Sequence, residues 1–420
     1  MPKISPKAEF LRNNPNVLRE IMNLIEEYSK KPEKYARKLI YLAGGWPQDP
    51  PPKLIKEAII EIINNEEKLG RATQYGPTRG LTETLESIVK YEKEIFGRNV
   101  HVDNLIVTNG STELAAAVME ALIGENDEII LTKPHYLNFS RQALIVGDLK
   151  VKIKYWDLIR EDFRYEPDTE QLKELITDKT KAIILASPGN PDGQVFSDEL
   201  FKEISEIAKD KKIYLITDLA YRGFCYIKQP YYFSKEIEPH EIFICTLSKE
   251  LRIPGLRMAY AIATKDLIRN FELIQQVRSL CPNGLTQKIF AEMIGREEST
   301  KILKEFIERG REVYQGVANF GYRYLKDKIP EFYLNEPKGA FYLFFNHSKI
   351  SPNSREFCSN LLEKVQVALA PGIDFGMDGW TRLSISPGVL NVEIIKEGID
   401  RIKEYIDMIK YTNIYKPPIT

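Results

Sequence analysis

Two stretches of the chain carry residue types that act together in carbonyl chemistry. Thr246-Leu247-Ser248-Lys249 closes an apolar run, and Arg257 stands eight residues beyond the lysine, after a Pro254-Gly255 bend. A lysine amine condenses with a carbonyl cofactor to give a Schiff base, and neighbouring hydroxyls and a guanidinium bind a phosphate through charge-assisted hydrogen bonds. A lone Ser-Lys pair more often lies on a solvated surface, so the chemistry needs companions. One run earlier, Thr217-Asp218-Leu219-Ala220-Tyr221 sets a carboxylate at a strand tip and a phenol three residues later. A carboxylate held against a ring nitrogen keeps it protonated and the ring able to accept electrons, while a phenol can bond a ring oxygen. Taken alone, the same residues would read as an N-capping aspartate and a core tyrosine.

Three further segments could complete such a site. Ser187-Pro188-Gly189-Asn190-Pro191-Asp192-Gly193 is a turn in which proline fixes φ and glycine permits positive φ. It could aim the Asn190 amide into a cleft, or be an ordinary Asn-Pro turn. Gly110-Ser111-Thr112 opens a helix, where free N–H groups and the positive dipole end suit a phosphate; simple capping is the alternative. Tyr136, in Pro134-His135-Tyr136, offers a face that can stack on a planar ring, or pack in a core.

The elements that must position these residues read as α/β. From about residue 100, short β-branched runs at 105–108, 128–132, 181–186, 213–217 and 242–246 alternate with helical patterns, the first helix spanning 113–123. That alternation is the pattern of a parallel sheet flanked by helices, whose ligands bind beyond the carboxyl ends of the strands. A long amphipathic helix over 301–328 then leads into a smaller α/β unit, with strands at 340–345, 366–370 and 381–385 and a closing helix over 391–409. The Pro-rich segment 46–52 sets off an N-terminal helical arm. The expected division is an arm at 1–50, a large domain at 51–295 and a small domain at 296–420.

Composition excludes several alternatives. Lysine plus arginine (59) balances aspartate plus glutamate (60), leaving no electrostatic footprint for nucleic acid or an anionic membrane. No apolar run reaches the roughly 18–20 residues of a membrane helix, and the polar N-terminus is unlike a secretory signal, which predicts a soluble, cytoplasmic protein. Cys225, Cys245, Cys281 and Cys358 form no CxxC pair, and the four histidines form no HExxH, so buried free thiols and no metal are expected.

Asn190, Asp218, Tyr221, Lys249 and Arg257 follow the order and approximate spacing of the fold-type I, class I/II aminotransferases, which the chain resembles from about residue 14 to 409. Leu42-Ala43-Gly44-Gly45-Trp46-Pro47, Tyr75-Gly76-Pro77-Thr78-Arg79-Gly80, Lys338-Gly339-Ala340-Phe341-Tyr342, Ala370-Pro371-Gly372-Ile373-Asp374-Phe375-Gly376 and Thr381-Arg382-Leu383-Ser384 also match. Asn14-Pro15 with Leu18-Arg19-Glu20 looks most like the 2-aminoadipate/kynurenine aminotransferase branch. The resemblance implies a PLP-dependent transferase fold, with a mostly parallel seven-stranded sheet and a smaller C-terminal α/β domain. It implies pyridoxal 5′-phosphate carried on Lys249, with Lys249, Asp218 and Tyr221 catalytic. Ser111, Thr112, Tyr136, Asn190, Thr246, Ser248 and Arg257 would hold the cofactor, and Tyr75 would reach the phosphate of the neighbouring subunit in a homodimer. Gly45, Asn190, Arg382 and Arg19 would meet the substrate, Arg382 gripping the α-carboxylate in two parallel hydrogen bonds.

Two residues depart from the family pattern: Asp192 stands where threonine usually follows Asn-Pro, and Ala259 where glycine is usual. Asp192 is expected either to place negative charge near the cofactor mouth or to be a solvated turn residue. The implied reaction is ping-pong transfer of an amino group from an aromatic, branched-chain or 2-aminoadipate-like L-amino acid to a 2-oxo acid, plausibly 2-oxoglutarate. The same fold also hosts lyases and cyclopropane-forming synthases, which the shared residues do not separate. It hosts cofactor-sensing regulators too, but segment 14–31 is one helix-like arm, too short for a DNA-binding module.

Overall fold

A computed structural model describes residues 3–414. Its strands are β1 (Ile40–Tyr41), β2 (Leu105–Thr108), β3 (Glu128–Lys133), β4 (Lys152–Asp157), β5 (Thr180–Ala186), β6 (Tyr214–Asp218), β7 (Glu241–Thr246), β8 (Ala259–Ile262), β9 (Tyr333–Leu334), β10 (Tyr342–Asn346), β11 (Val367–Ala368), β12 (Ala370–Pro371) and β13 (Trp380–Ser384). Seven of them form the main sheet in the order β2-β8-β7-β6-β5-β3-β4. β3 to β7 pair in parallel, and β8 runs antiparallel to both β2 and β7.

Buried strands send successive side chains to opposite faces, so an unbroken apolar run fills two cores at once. Val107, Ile183, Leu215 and Phe243 pack into one cluster and their chain neighbours Ile106, Ile184, Ile216 and Ile242 into another. A third cluster joins the C-terminal strands and helices to the arm, where Ile21, Tyr28, Ile40 and Leu42 pack with Leu343, Leu383 and Ile399. There β1 pairs with β11, and β12-β13-β10-β9 form a four-stranded sheet. Among the described residues, no helix is long and apolar enough to cross a membrane.

Several elements differ from the sequence reading. β4 was not expected, because its residues are mostly exposed or half-buried and Lys-Ile-Lys-Tyr-Trp-Asp lacks an apolar run. β8 was missed because Ala-Tyr-Ala-Ile is short and alanine-rich. The predicted strand at 366–370 is two, β11 and β12, serving different sheets. The arm is two helices, Pro6–Asn13 and Val17–Lys30, since the residue before Pro15 is pushed out of the helical region and Asn16 caps the second by accepting the Leu18 N–H. The cysteines are free, but Cys281 is only partly buried.

Behind the sheet edge lies a fully buried ionic cluster. Arg222 donates from Nη1 (3.1 Å) and Nη2 (2.6 Å) to Glu92 and from Nε (2.7 Å) to Glu250. Tyr91 donates to Glu250 at 2.8 Å, Tyr260 donates to Glu92, and the Arg222 guanidinium lies 3.6 Å over the Phe96 ring. Glu92 opens a π-helical turn, Glu92–Phe96, that continues the helix Thr82–Tyr91. Removing one partner of such a cluster strands the opposite charges in the interior, at a cost of about 3–5 kcal/mol. Arg222→Ala is therefore expected to lower the unfolding free energy obtained from urea titration by that order; a loss of less than about 0.5 kcal/mol, the level of an inconsequential surface exchange, would contradict the cluster's role.

Candidate active site

The carboxyl ends of β2, β3, β5, β6 and β7 lie along one edge of the main sheet, and each delivers a side chain to one cavity of about 350 Å³. β2 leads through Gly110 into the helix Ser111–Leu122, β3 to Tyr136, β5 to the Asn190 turn, β6 to Asp218 and Tyr221, and β7 to Ser248 and Lys249. From the C-terminal part come Arg382 on β13 and Tyr342 on β10, and from the arm Arg19 and Gly45.

One end is suited to an anion. Gly110 has φ +98°, and a Cβ there would fall 2.3 Å from Nη2 of Arg257, so the guanidinium lies across the glycine. The helix that follows, beginning at Ser111, has no side-chain cap, leaving its first N–H groups for an anion. Ser111, Thr112, Ser248 and Arg257 line this end. Thr246 does not line the cavity: its hydroxyl accepts the Ser248 N–H at 3.2 Å and lies 3.0 Å from the Met258 carbonyl, capping the short helix Leu247–Glu250. It steadies Ser248 and Lys249 from behind.

At the centre, the Lys249 amine donates to the Gly45 carbonyl at 2.7 Å. Burial lowers its pKa to about 8, helped by Arg257 and Arg382 and opposed by Asp218. Asp218 accepts the Ala220 N–H at 2.9 Å, and burial raises its carboxyl to about 6. A protonated ring nitrogen against it would restore the ionised form. Tyr136 lines the same space, its ring available for stacking.

The remaining end presents a buried guanidinium with a donor to spare. Arg382 is 1% exposed, donates to Asn190 Oδ1 at 2.7 Å and to the Ala43 carbonyl at 2.8 Å, and keeps a buried Nε with no hydrogen-bond partner. A Cβ on Gly45 would lie 3.8 Å from that guanidinium, so the glycine keeps the approach open. Arg19 lines the outer part with Asn16, Met22, Trp46 and Asn138; none of these except Arg19 was anticipated from sequence as a site residue, because they come from the arm and from a helix start.

Tyr75, expected to serve the neighbouring subunit, and Asp192 also lie outside this cavity. Tyr75 is 87% exposed. Asp192 is neither at the mouth nor solvated: it is buried within its turn, accepts the Gln194 N–H, and is raised to about 6 by burial. Its carboxylate folds back over Gly189, beneath the turn that presents Asn190. Ala259 is a buried β8 residue paired with Thr108 and Thr246, away from the chemistry. Tyr342 was noticed only within a motif, although it sits in the cavity wall; antiparallel register puts it diagonally across from Arg382 on one face.

A lysine of lowered pKa, a buried carboxylate, an anion cradle and a half-satisfied arginine in one cleft suit a phosphorylated aldehyde and a carboxylate-bearing amine. The family model for aminotransferase class I and II matches residues 37–402. The chain belongs to this family. Like other class I and II members, this aminotransferase uses pyridoxal phosphate, and the cavity residues fit that group at its phosphate, aldehyde and ring nitrogen. It is 29% identical to an aspartate aminotransferase of Pyrococcus horikoshii, over 92% of this chain and 94% of that one. It is 31% identical to the (5-formylfuran-3-yl)methyl phosphate transaminase of Methanocaldococcus jannaschii, over 92% and 96%. The fold is shared with Thermus thermophilus aspartate aminotransferase bound to maleate, at a TM-score of 0.85 and 23% identity over 96% of this chain and all of that one.

The lowered lysine pKa makes a kinetic prediction. Only the neutral amine attacks an aldehyde, so capture of pyridoxal phosphate by cofactor-free aminotransferase should speed up with pH through a midpoint near 8, not near the ordinary value of about 10.4. Because Asp218 holds the proton on, Asp218→Asn should move the midpoint lower still; a midpoint above about 10 in the parent would show an amine in contact with water.

Proposed function

We propose that this aminotransferase carries an amino group from a long L-amino acid of the 2-aminoadipate type to 2-oxoglutarate, accepting aromatic and branched-chain donors in the same cavity, in a ping-pong cycle. The observation that supports it is a second guanidinium, Arg19, lining the outer part of the cavity that holds Lys249 and Arg382. Arg19 forms no ion pair with a carboxylate among the described residues. Its flanks are mixed, with Met22, Leu137 and Trp46 for an apolar stem and Asn16 and Asn138 for a polar end. Arg382 would take the α-carboxylate and Arg19 a distal one, which fits a dicarboxylic donor and a dicarboxylic acceptor alike. This agrees with the 2-aminoadipate branch resemblance.

When bound, pyridoxal phosphate supplies an aldehyde that takes up the amino group and a ring that accepts the electron pair left on the α-carbon. The protein does the rest. Lys249, once the incoming amine had taken its place, would carry the proton from the substrate α-carbon to the cofactor's aldehyde carbon, two atoms away across the nitrogen, and its lowered pKa lets it act as base and acid near neutrality. Asp218 keeps the ring nitrogen protonated, Tyr221 and Asn190 address the ring oxygen, and Ser111, Thr112, Ser248 and Arg257 hold the phosphate. Gly45, by accepting from Lys249, fixes where the amine rests.

The division of labour follows the proposed domains: the large one, 51–295, holds cofactor residues, while the arm, 1–50, and the small domain, 296–420, bring Gly45, Arg19 and Arg382. We also propose that two copies associate as a homodimer, covering exposed Tyr75, Leu273, Val277 and Leu280, with Tyr75 reaching the other copy's phosphate.

A donor panel tests the substrate reading. Each amino acid is mixed with the cofactor-loaded protein, and the loss of colour is followed as the cofactor becomes an amine. Arg19→Gln should raise KM for dicarboxylic donors about ten- to a hundredfold, the value of a charge-assisted hydrogen bond, and leave aromatic donors nearly unchanged. An unchanged donor ranking would place Arg19 in solvent and refute the assignment.

A further inference from the structure

Tyr342 is fully buried on β10, and its hydroxyl lies 2.6 Å from that of Tyr221. Asn190 Nδ2 approaches the same Tyr221 oxygen at 3.4 Å. An amide N–H only donates, and a phenol oxygen accepts up to two hydrogen bonds while offering a single proton. For Tyr221 to give its proton to a ring oxygen of the cofactor, the bond between the two phenols must therefore run from Tyr342 to Tyr221. The surroundings favour that direction. The Arg382 guanidinium packs 4.4 Å over the Tyr342 ring, and a nearby cation polarises the O–H of that phenol for donation. Asn190 does not receive the Tyr221 proton in its place, because the atom it presents to that oxygen is Nδ2, which only donates, while its Oδ1 is turned to Arg382.

We propose that Tyr342 is a positioning residue that acts on the cofactor through Tyr221: its phenol donates to Tyr221 and so commits the Tyr221 proton to the ring oxygen, while its ring face carries Arg382. The inference rests on the pyridoxal phosphate reading of the cavity. It joins the two ends of the site through one side chain, since the residue that orients the ring-oxygen donor also supports the α-carboxylate grip. Hydrogen bonds in such a chain strengthen one another, so Tyr221 becomes a better donor than an isolated phenol.

The test is spectroscopic. In the cofactor-loaded protein, the colour of the lysine-linked cofactor changes as the linkage nitrogen loses its proton. A hydrogen bond to the ring oxygen stabilises the anionic oxygen of the deprotonated form and so lowers the midpoint. Tyr342→Phe keeps the ring beneath Arg382 and removes only the hydroxyl, so it should raise the midpoint by about half a pH unit, the scale of one net hydrogen bond. Tyr221→Phe should raise it further. The double variant should titrate like Tyr221→Phe alone, because Tyr342 has no other route to the ring oxygen. A midpoint unmoved by Tyr342→Phe, or two shifts that add in full, would overturn the proposal while leaving the cofactor reading intact. A parent protein whose loaded form shows no lysine-linked colour would overturn both.

Discussion

An amine has to shed its proton in a closed cleft that also holds two guanidiniums, and the rest of the site is arranged around that requirement. Burial together with Arg257 and Arg382 drives Lys249 toward its neutral form, and Asp218 pulls the other way. In the proposed reading the two arginines serve the substrate and cofactor anions, and their effect on the lysine follows from that placement. Once those anions arrive, the balance shifts back toward a protonated nitrogen. One amine can then act as nucleophile before loading and as proton carrier afterwards.

Holding these charges at fixed separations is the work of the sheet. Five strand ends share one edge, and the buried cluster of Arg222, Glu92 and Glu250 ties two of them together from behind. Arg222 directly follows Tyr221 in the chain and Glu250 directly follows Lys249, so their 2.7 Å contact fixes the phenol and the amine relative to each other. On the other side of the cleft, Arg382 is clamped between the Asn190 side chain and the Ala43 carbonyl. The placement of this guanidinium is thus set by the arm, the main sheet and the C-terminal sheet together.

Residues at strand tips were legible in the sequence because a buried strand announces itself as an apolar run and its end as a polar break. Asn190, Asp218 and Lys249 were located in that way, and Gly110 by the helix it opens. Residues that act through packing gave weaker signals. Thr246 has the type of a phosphate ligand, yet its place as the last residue of β7 and cap of the helix that follows directs the hydroxyl back to Ser248 and Met258. Asp192 reads as a turn residue because aspartate is common in turns, whereas its burial depends on a fold-back over Gly189 that spacing does not reveal. Arg19 was visible only through resemblance, since the arm reaches the cavity by tertiary packing. Tyr342 shares a face with Arg382 through a register between β10 and β13 that residues forty apart in the chain do not declare.

The most direct measurement is covalent. Borohydride reduction of the cofactor-loaded protein fixes the linkage wherever it exists, and peptide mapping then names the nitrogen. The expected result is a single label on Lys249, within the Thr246–Glu250 peptide, lost in Lys249→Ala. A label on any other lysine, or none in protein saturated with pyridoxal phosphate, would contradict the assignment of Lys249 as the anchor and with it the arrangement of charges built around it.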